Sequence, residues 1–299
     1  MSPLVAALNL IGDGWTFLIL REAFFRVRRF EGMRGNLQIP RARLVERLTA
    51  LVKGGVLVRQ PYQHNPPRFE YRLSPMGRDI FQMTLLMKTW AEKWRTEKFP
   101  HLALHHRDCG EHLMPQLCCT ACDTQIKPDS VVFPMDQPIT CQGELLHKRR
   151  SLPADVYDRG TRREAVMETL KVIGDQWSIA ILYEAFKGAT YFEDFCTRTG
   201  IARNTLTLRL NHLVAESIFE KHKYQESSHR ERYALTPAGT GLLPVVLAME
   251  AWGACWLSEA PPQQPATVHA DCGNSLQVKL VCKACHQPID ARHVVVDAN

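Results

Sequence analysis

Apolar residues recur at helical spacing from the start of the chain: Leu4, Ala7, Leu8, Leu10 and Ile11, then Trp15, Phe17, Leu18, Leu20 and Ala23. This predicts two helices joined near Gly12-Asp-Gly14, where the glycines supply a turn. Residues 30–36 predict a short third helix. Residues 40–53 predict a fourth, with proline in the first turn, where its missing N–H removes nothing, and Gly54-Gly55 at the end. Leu44, Leu48 and Leu51 form one inward stripe on that helix, so Arg41, Arg43 and Arg47 project from other faces. The period then changes from helical to alternating. Residues 56–62 and 68–73, separated by the polar turn His64-Asn-Pro-Pro67, predict a two-stranded hairpin with its prolines confined to the tip. Ser74-Pro75 is a good helix start, a hydroxyl cap followed by proline, and the helix it opens carries Leu85, Leu86, Trp90 and Trp94.

The whole pattern then repeats. Ile11-Gly-Asp-Gly-Trp15 returns 162 positions later as Ile173-Gly-Asp-Gln-Trp177, and the register holds through Glu22 with Glu184, Arg41 with Arg203, Arg47 with Arg209, Tyr71 with Tyr233 and Gly77 with Gly239. All six tryptophans pair off: Trp15 with Trp177, Trp90 with Trp252, Trp94 with Trp256. A period this long marks a duplicated domain, since solenoid repeats run to roughly 20–50 residues.

Helix, helix, short helix, helix, hairpin, helix is the winged helix-turn-helix order, mainly α with a small β component, an α+β fold. Ile11-Gly-Asp-Gly-Trp15, Arg29-Phe30-Glu-Gly-Met33, Ile39 with Leu44 and Leu48, and Tyr71-Arg-Leu-Ser-Pro-Met-Gly77 carry a closer likeness. So do Tyr191-Phe192-Glu-Asp-Phe195, Ile201 with Leu206 and Leu210, and Tyr233-Ala-Leu-Thr-Pro-Ala-Gly239. In these residues each half resembles the HxlR-type branch of the MarR-like transcriptional regulators, over residues 1–97 and 161–259. The resemblance implies a DNA-binding regulator whose first and last helices form a dimer interface, with repression the commoner outcome. Two departures stand out. Many relatives carry a cysteine just ahead of the first helix, sometimes used for redox or electrophile sensing, where this chain has Ser2 and Glu164; the serine that often caps the recognition helix is Pro40 in one half and Ala202 in the other.

A second unit follows each winged domain. His106-Arg-Asp-Cys109-Gly with Cys119-Thr-Ala-Cys122 corresponds to His269-Ala-Asp-Cys272-Gly with Cys282-Lys-Ala-Cys285. Thiolates two residues apart form a knuckle, and a distant Cys with a nearby His completes a tetrahedral Cys3His set, so each H-x2-C-x9-C-x2-C unit is a candidate structural zinc site. The alternative is a small β-rich tail with buried, metal-free thiols. His286, next to Cys285, competes with His269 as the fourth ligand, whereas Cys118, Cys141, Cys196 and Cys255 lack counterparts and read as free thiols. The chain therefore divides into a winged domain at 1–100, a zinc-ribbon-like unit at 101–133, a polar, turn-rich linker at 134–160, a second winged domain at 161–262 and a second ribbon-like unit at 263–299.

Composition narrows the function. The balance of 45% hydrophobic to 23% charged residues is that of a soluble globular chain, no uninterrupted apolar run approaches a span, and the start lacks a secretory pattern. A cytoplasmic location and reduced thiols are expected. The net charge of +6 permits a nucleic-acid partner without requiring one. No nucleophile–base arrangement, phosphate-cradling loop or repeated carboxylate pair suggests catalysis.

Residues at the amino end of a recognition helix reach base edges, where arginine bonds guanine O6 and N7 bidentately. Arg41 and Arg43 occupy that end in one half, Arg203, Asn204 and Thr205 in the other. Arg47 and Arg209, further along, either bind phosphate or pair with a carboxylate. His64 and Arg68, then His229, Arg230 and Arg232, lie at the hairpin tips, to touch phosphate or minor groove or simply to be solvated. Trp90 and Trp94 share a helix face, as do Trp252 and Trp256. They suit a dimer or pseudo-dimer interface, or an aromatic ligand pocket. The expectation is a regulator of double-stranded DNA acting as a single-chain pseudo-dimer on unequal half-sites, or as a homodimer of tandem chains. The competing expectation is a protein-interaction scaffold whose winged domains pair and whose tails dock a partner.

Overall fold

The computed structural model describes residues 2–95, 103–134, 165–223, 231–258 and 267–296. The first half runs α1 (Pro3–Ile11), α2 (Gly14–Phe24), α3 (Phe30–Leu37), α4 (Arg41–Lys53), β1 (Leu57–Gln63), β2 (Arg68–Leu73), α5 (Pro75–Asp79) and α6 (Phe81–Trp94). Three short strands follow in its cysteine-bearing segment: β3 (Leu104–His106), β4 (Pro115–Cys119) and β5 (Val131–Val132). The second half repeats the order as α7 (Ala165–Ile173), α8 (Gln176–Phe186), α9 (Phe192–Thr199), α10 (Arg203–Ala215), β6 (Phe219–Lys223), β7 (Glu231–Leu235), α11 (Pro237–Thr240) and α12 (Leu243–Trp256). Its own short strands are β8 (Val268–His269), β9 (Val278–Cys282) and β10 (Val294–Val296).

Local chemistry explains the element ends. Asp13 accepts the Thr16 N–H at 3.2 Å to cap α2, and Asp175 accepts the Trp177 N–H at 3.0 Å to cap α8. Ser74 and Thr236 each accept the N–H three residues on at 3.0 Å, capping α5 and α11. Pro40 falls at the cap of α4, one residue outside the helix it was expected to open, and makes no side-chain cap bond; Ala202 occupies the same place on α10. Buried carboxylates tie the short third helix to the scaffold in both halves. Glu22 accepts from Asn36 at 2.7 Å, and Glu184 lies 3.4 Å from Lys187 and 3.8 Å from Arg198.

The halves are related by a local two-fold and share one continuous apolar core. The first helix of each half packs on the last helix of the other: α1 on α12 and α6 on α7. The Trp90 indole donates to the Ala238 carbonyl at 2.8 Å, and Trp252 donates to the Met76 carbonyl at 3.0 Å. Trp256 donates to the Asp79 carboxylate at 2.9 Å. Near the axis Asp13 lies opposite Asp175, and the Gly14 N–H donates to the Gly174 carbonyl at 3.0 Å. Helix α1 comes so close to α12 that a Cβ on Gly253 would sit 2.1 Å from the Pro3 carbonyl oxygen. Trp15 is buried and Trp177 partly so, both against the core.

The stretch Pro237–Trp256 has the length and mean hydropathy, 1.3, of a membrane span, although sequence inspection suggested none; 56% of its most apolar window is buried inside the protein, as befits the helix at the centre of the core.

The cysteine-bearing segments are interleaved. Strand β3 pairs with β10, β4 with β9, and β5 with β8, all antiparallel. Strands of two to five residues gain too little from local pairing to stand alone, and every one of these partners comes from the other half. Leu117 pairs with its own counterpart Leu280, so the axis passes through this sheet too. Apart from Pro134, the expected linker lies outside the described residues.

Candidate nucleic-acid interface and metal centres

The helices expected to read DNA turn one apolar stripe inward: Leu44, Leu48 and Leu51 on α4, and Leu206, Leu210 and Leu213 on α10, are all buried. Arg41 and Arg203 project from the amino ends with side chains 68% and 63% exposed. Each guanidinium stacks on a ring of the preceding helix, Arg41 at 5.3 Å from the Phe30 centroid and Arg203 at 5.1 Å from that of Phe192. Each also meets a carboxylate, Arg41 with Glu31 at 3.5 Å and Arg203 with Glu193 at 3.0 Å, and the arginine holds the Glu193 carboxyl below its ordinary range. Exposed pairs of this kind are worth roughly 0–1 kcal/mol, so a phosphate or guanine can displace the glutamate. Arg43 is partly exposed and donates to Glu46 at 2.9 Å; Asn204 is exposed and Thr205 half-buried.

Arg47 corrects the expectation that it is available to DNA. Its side chain is 5% exposed and its Nε lies 3.4 Å from the Asp13 carboxylate, so it fastens the recognition helix to the cap of α2. Arg209 repeats the arrangement with Asp175 at 3.2 Å, half-buried. The carboxylate reading, left open beside the phosphate reading, is the one the geometry gives. A buried guanidinium needs a partner. Asp13, which already caps the neighbouring helix, is the buried carboxylate beside it, whereas Glu46 stands further off at 3.9 Å and is exposed.

In the first wing His64 and Arg68 are exposed at the hairpin tip, and just below it Arg29 lies over the Tyr62 ring at 4.5 Å and Arg59 over the Phe69 ring at 3.6 Å. Arg232 is exposed in the second wing. His229 and Arg230 lie outside the described residues.

The eight motif residues come together as two clusters, but not the two that the spacing implied. His106 and Cys109 join Cys282 and Cys285; Cys119 and Cys122 join His269 and Cys272. Each cluster takes H-x2-C from one half and C-x2-C from the other, because pairing β4 with β9 carries each knuckle across the axis. In the first, His106 Nδ1 lies 3.5 Å from Cys109 Sγ and 3.3 Å from Cys285 Sγ, and Cys109 Sγ lies 4.0 Å from Cys282 Sγ. In the second the corresponding distances are 3.4 Å to Cys272, 3.3 Å to Cys122, and 4.0 Å between Cys119 and Cys272. Four donors around one ion at about 2.3 Å for sulfur and 2.0 Å for nitrogen stand about 3.5–3.8 Å apart, so three thiols and an imidazole at these separations could hold a metal. The Cys272 thiol is held down to about 6, chiefly by the Asn274 backbone N–H and then by the Asn274 side chain and His269. His286 belongs to neither cluster, and the nine described cysteines are free of disulfides.

Two residues of these sites escaped the sequence reading. Both imidazoles are fully buried, with Nε2 facing a carboxylate: Asp108 at 3.7 Å from His106 and Asp271 at 3.6 Å from His269. At these separations each carboxylate stands behind its ring beyond hydrogen-bond distance, while Nδ1 faces the thiols. The signal was the third residue of H-x-D-C, present in both halves.

Two stretches, residues 10–99 and 172–261, match the HxlR-like helix-turn-helix family. Over 126 residues, 42% of this chain, the protein is 45% identical to 80% of an uncharacterized HTH-type transcriptional regulator of Mycobacterium tuberculosis (strain ATCC 25618 / H37Rv). Over 95 residues, 31% of this chain, it is 33% identical to 70% of another from Synechocystis sp.. A Bacillus subtilis regulator is 32% identical over 94 residues, 31% of this chain and 73% of its own length. A solved candidate transcription factor shares 29% identity at a TM-score of 0.41, covering 48% of this chain and 99% of that one.

Proposed function

The chain belongs to the HxlR-like helix-turn-helix family in two copies, and on that premise we propose that it is a sequence-specific regulator of transcription, a repressor, that binds double-stranded DNA as a single-chain pseudo-dimer. The carrying observation is the reciprocal pair of bonds from Trp90 to Ala238 and from Trp252 to Met76. Interface helices that the resemblance assigns to two subunits are here satisfied within one chain. Its curated relatives are matched over most of their length by less than half of this chain, which supports a fusion of two such subunits.

Arg41 and Arg203, with Arg43, Asn204 and Thr205, are the residues assigned to base edges and neighbouring phosphates. His64, Arg68 and Arg232 are assigned to the flanking backbone. A protein seated over two adjacent major grooves excludes others from that stretch of duplex, which is the physical basis of repression. Zn2+ is the metal assigned to the clusters, since a closed set of thiolates and one imidazole suits a structural ion that joins segments and leaves no position for a substrate. Reduced cysteines accord with a cytoplasmic location.

Binding to genomic fragments at two salt concentrations tests the reading. Changing Arg41→Ala and Arg203→Ala together is expected to weaken the preferred fragment strongly and random DNA less; unaltered binding to both would exclude the assignment.

A further inference from the structure

The recognition helices present outward stripes of different chemistry. On α4 the exposed positions one and two turns apart are Ala42, Val45, Glu46 and Thr49; on α10 the equivalent positions are Asn204, Thr207, Leu208 and Asn211. They lie opposite the buried leucines, on the face a major groove would meet. Val45 is 48% and Leu208 68% exposed, placing apolar side chains in water at the middle of both helices. A single exposed leucine means little. This one is flanked on the same face by two amides that no other described residue engages, and by Thr207, whose hydroxyl donates to the Arg203 carbonyl at 2.9 Å and so leaves its methyl outward. On α4 the sole strongly polar member, Glu46, already accepts from Arg43 at 2.9 Å.

We infer that α10 reads A·T base pairs, Asn204 and Asn211 bonding adenine and Leu208 and Thr207 packing on thymine methyls, while α4 reads a different half-site through Val45, Ala42, Thr49 and the Arg43–Glu46 pair. An amide matches the N6–H donor and N7 acceptor of adenine on one edge, and an aliphatic side chain gains from the thymine methyl that cytosine lacks. Helix α4 has no amide on this face. Its partner is therefore a sequence offering methyl groups, a guanine edge to Arg43 and a cytosine N4–H to Glu46. The operator is an unequal inverted pair, with the A·T-specified half beneath the second domain. The inference rests on the DNA-binding reading and adds the base identity.

Selection of bound duplexes from a random pool, with the full-length protein, tests it. The wild type is expected to select a site with no two-fold symmetry, specifying A·T pairs in one half. Asn204→Ala with Asn211→Ala is expected to relax that half alone, by roughly 5- to 150-fold for each bidentate amide–adenine pair removed, with the other half unchanged. Both residues are exposed, and alanine favours helix, so the variant keeps its fold. The set Ala42→Asn, Arg43→Thr, Val45→Thr, Glu46→Leu and Thr49→Asn, which gives α4 the outward residues of α10, is expected to turn the selected site into a symmetric inverted repeat. A symmetric site for the wild type overturns the inference, as does an amide variant that folds, binds and selects the wild-type sequence. Enrichment of no sequence at all by the wild type would instead defeat the underlying DNA-binding reading.

Discussion

The Trp90 indole N–H lies 2.8 Å from the carbonyl oxygen of Ala238, in the other half of the chain. Its two-fold counterpart runs from Trp252 to Met76 at 3.0 Å. Both rings are buried; the bond to Met76 is buried and the bond to Ala238 partly so, which limits the water that could replace either indole. Trp90→Phe and Trp252→Phe should each lower the unfolding free energy by about 1 kcal/mol through the orphaned carbonyl, and the alanine variants by about 3–5 kcal/mol through the cavity. Denaturant unfolding should give similar losses for the two positions; a loss at one and none at the other would contradict the equivalence of the halves.

Arg41 and Arg47 stand on one helix but should behave oppositely. Arg47→Ala leaves Asp13 buried without its cation and should cost about 3–5 kcal/mol of stability. Arg41→Ala removes an exposed side chain and should change stability by less than about 0.5 kcal/mol while weakening DNA binding. Thermal unfolding beside a binding titration separates the two. Equal stability losses would mean that Arg41 is also part of the scaffold.

Metal stoichiometry distinguishes crossed from uncrossed sites. Cys109→Ser with Cys282→Ser disables one crossed cluster and should leave about half the wild-type metal per chain. Cys109→Ser with Cys119→Ser falls within one sequence unit but strikes both clusters and should leave almost none. The reverse pattern would restore the partition by sequence unit. Metal analysis of protein purified without chelator reads the ratio directly.

Glu250 gives a pH signature. Burial pushes its carboxyl above the ordinary 4.5, outweighing the Tyr183 O–H that donates to it at 2.9 Å and the nearby Lys187. A carboxyl raised in the folded state contributes stability that is fully present below its unfolded pKa and is lost as pH rises through the folded value. The wild type should therefore lose unfolding free energy relative to Glu250→Gln as pH rises above about 4.5. An identical slope in the variant would assign the pH dependence elsewhere.

Much of this was legible because duplication filters a sequence. The paired tryptophans, the inward leucines and the eight Cys and His residues recur, and recurrence separates constraint from accident. The same filter hides what differs. Val45 with Glu46 and Thr207 with Leu208 do not match between halves, so a comparison built on sameness passes over the residues that would give the halves different readings. The ligand partition was illegible for another reason. Both units carry the same H-x2-C and C-x2-C parts, so spacing allows either assembly, and only the pairing of Leu117 with Leu280 across the axis selects the crossed one. Arg47 could have been placed from the sequence, since Asp13 with Arg47 and Asp175 with Arg209 recur as matched charges.

The most direct test is a footprint on a selected operator combined with the mass of the complex. One chain of 34.1 kDa should protect two adjacent half-sites about one helical turn apart, with Arg41→Ala exposing one half-site and Arg203→Ala the other. Protection of a single half-site by one chain, or a requirement for two chains to cover both, would contradict the single-chain pseudo-dimer.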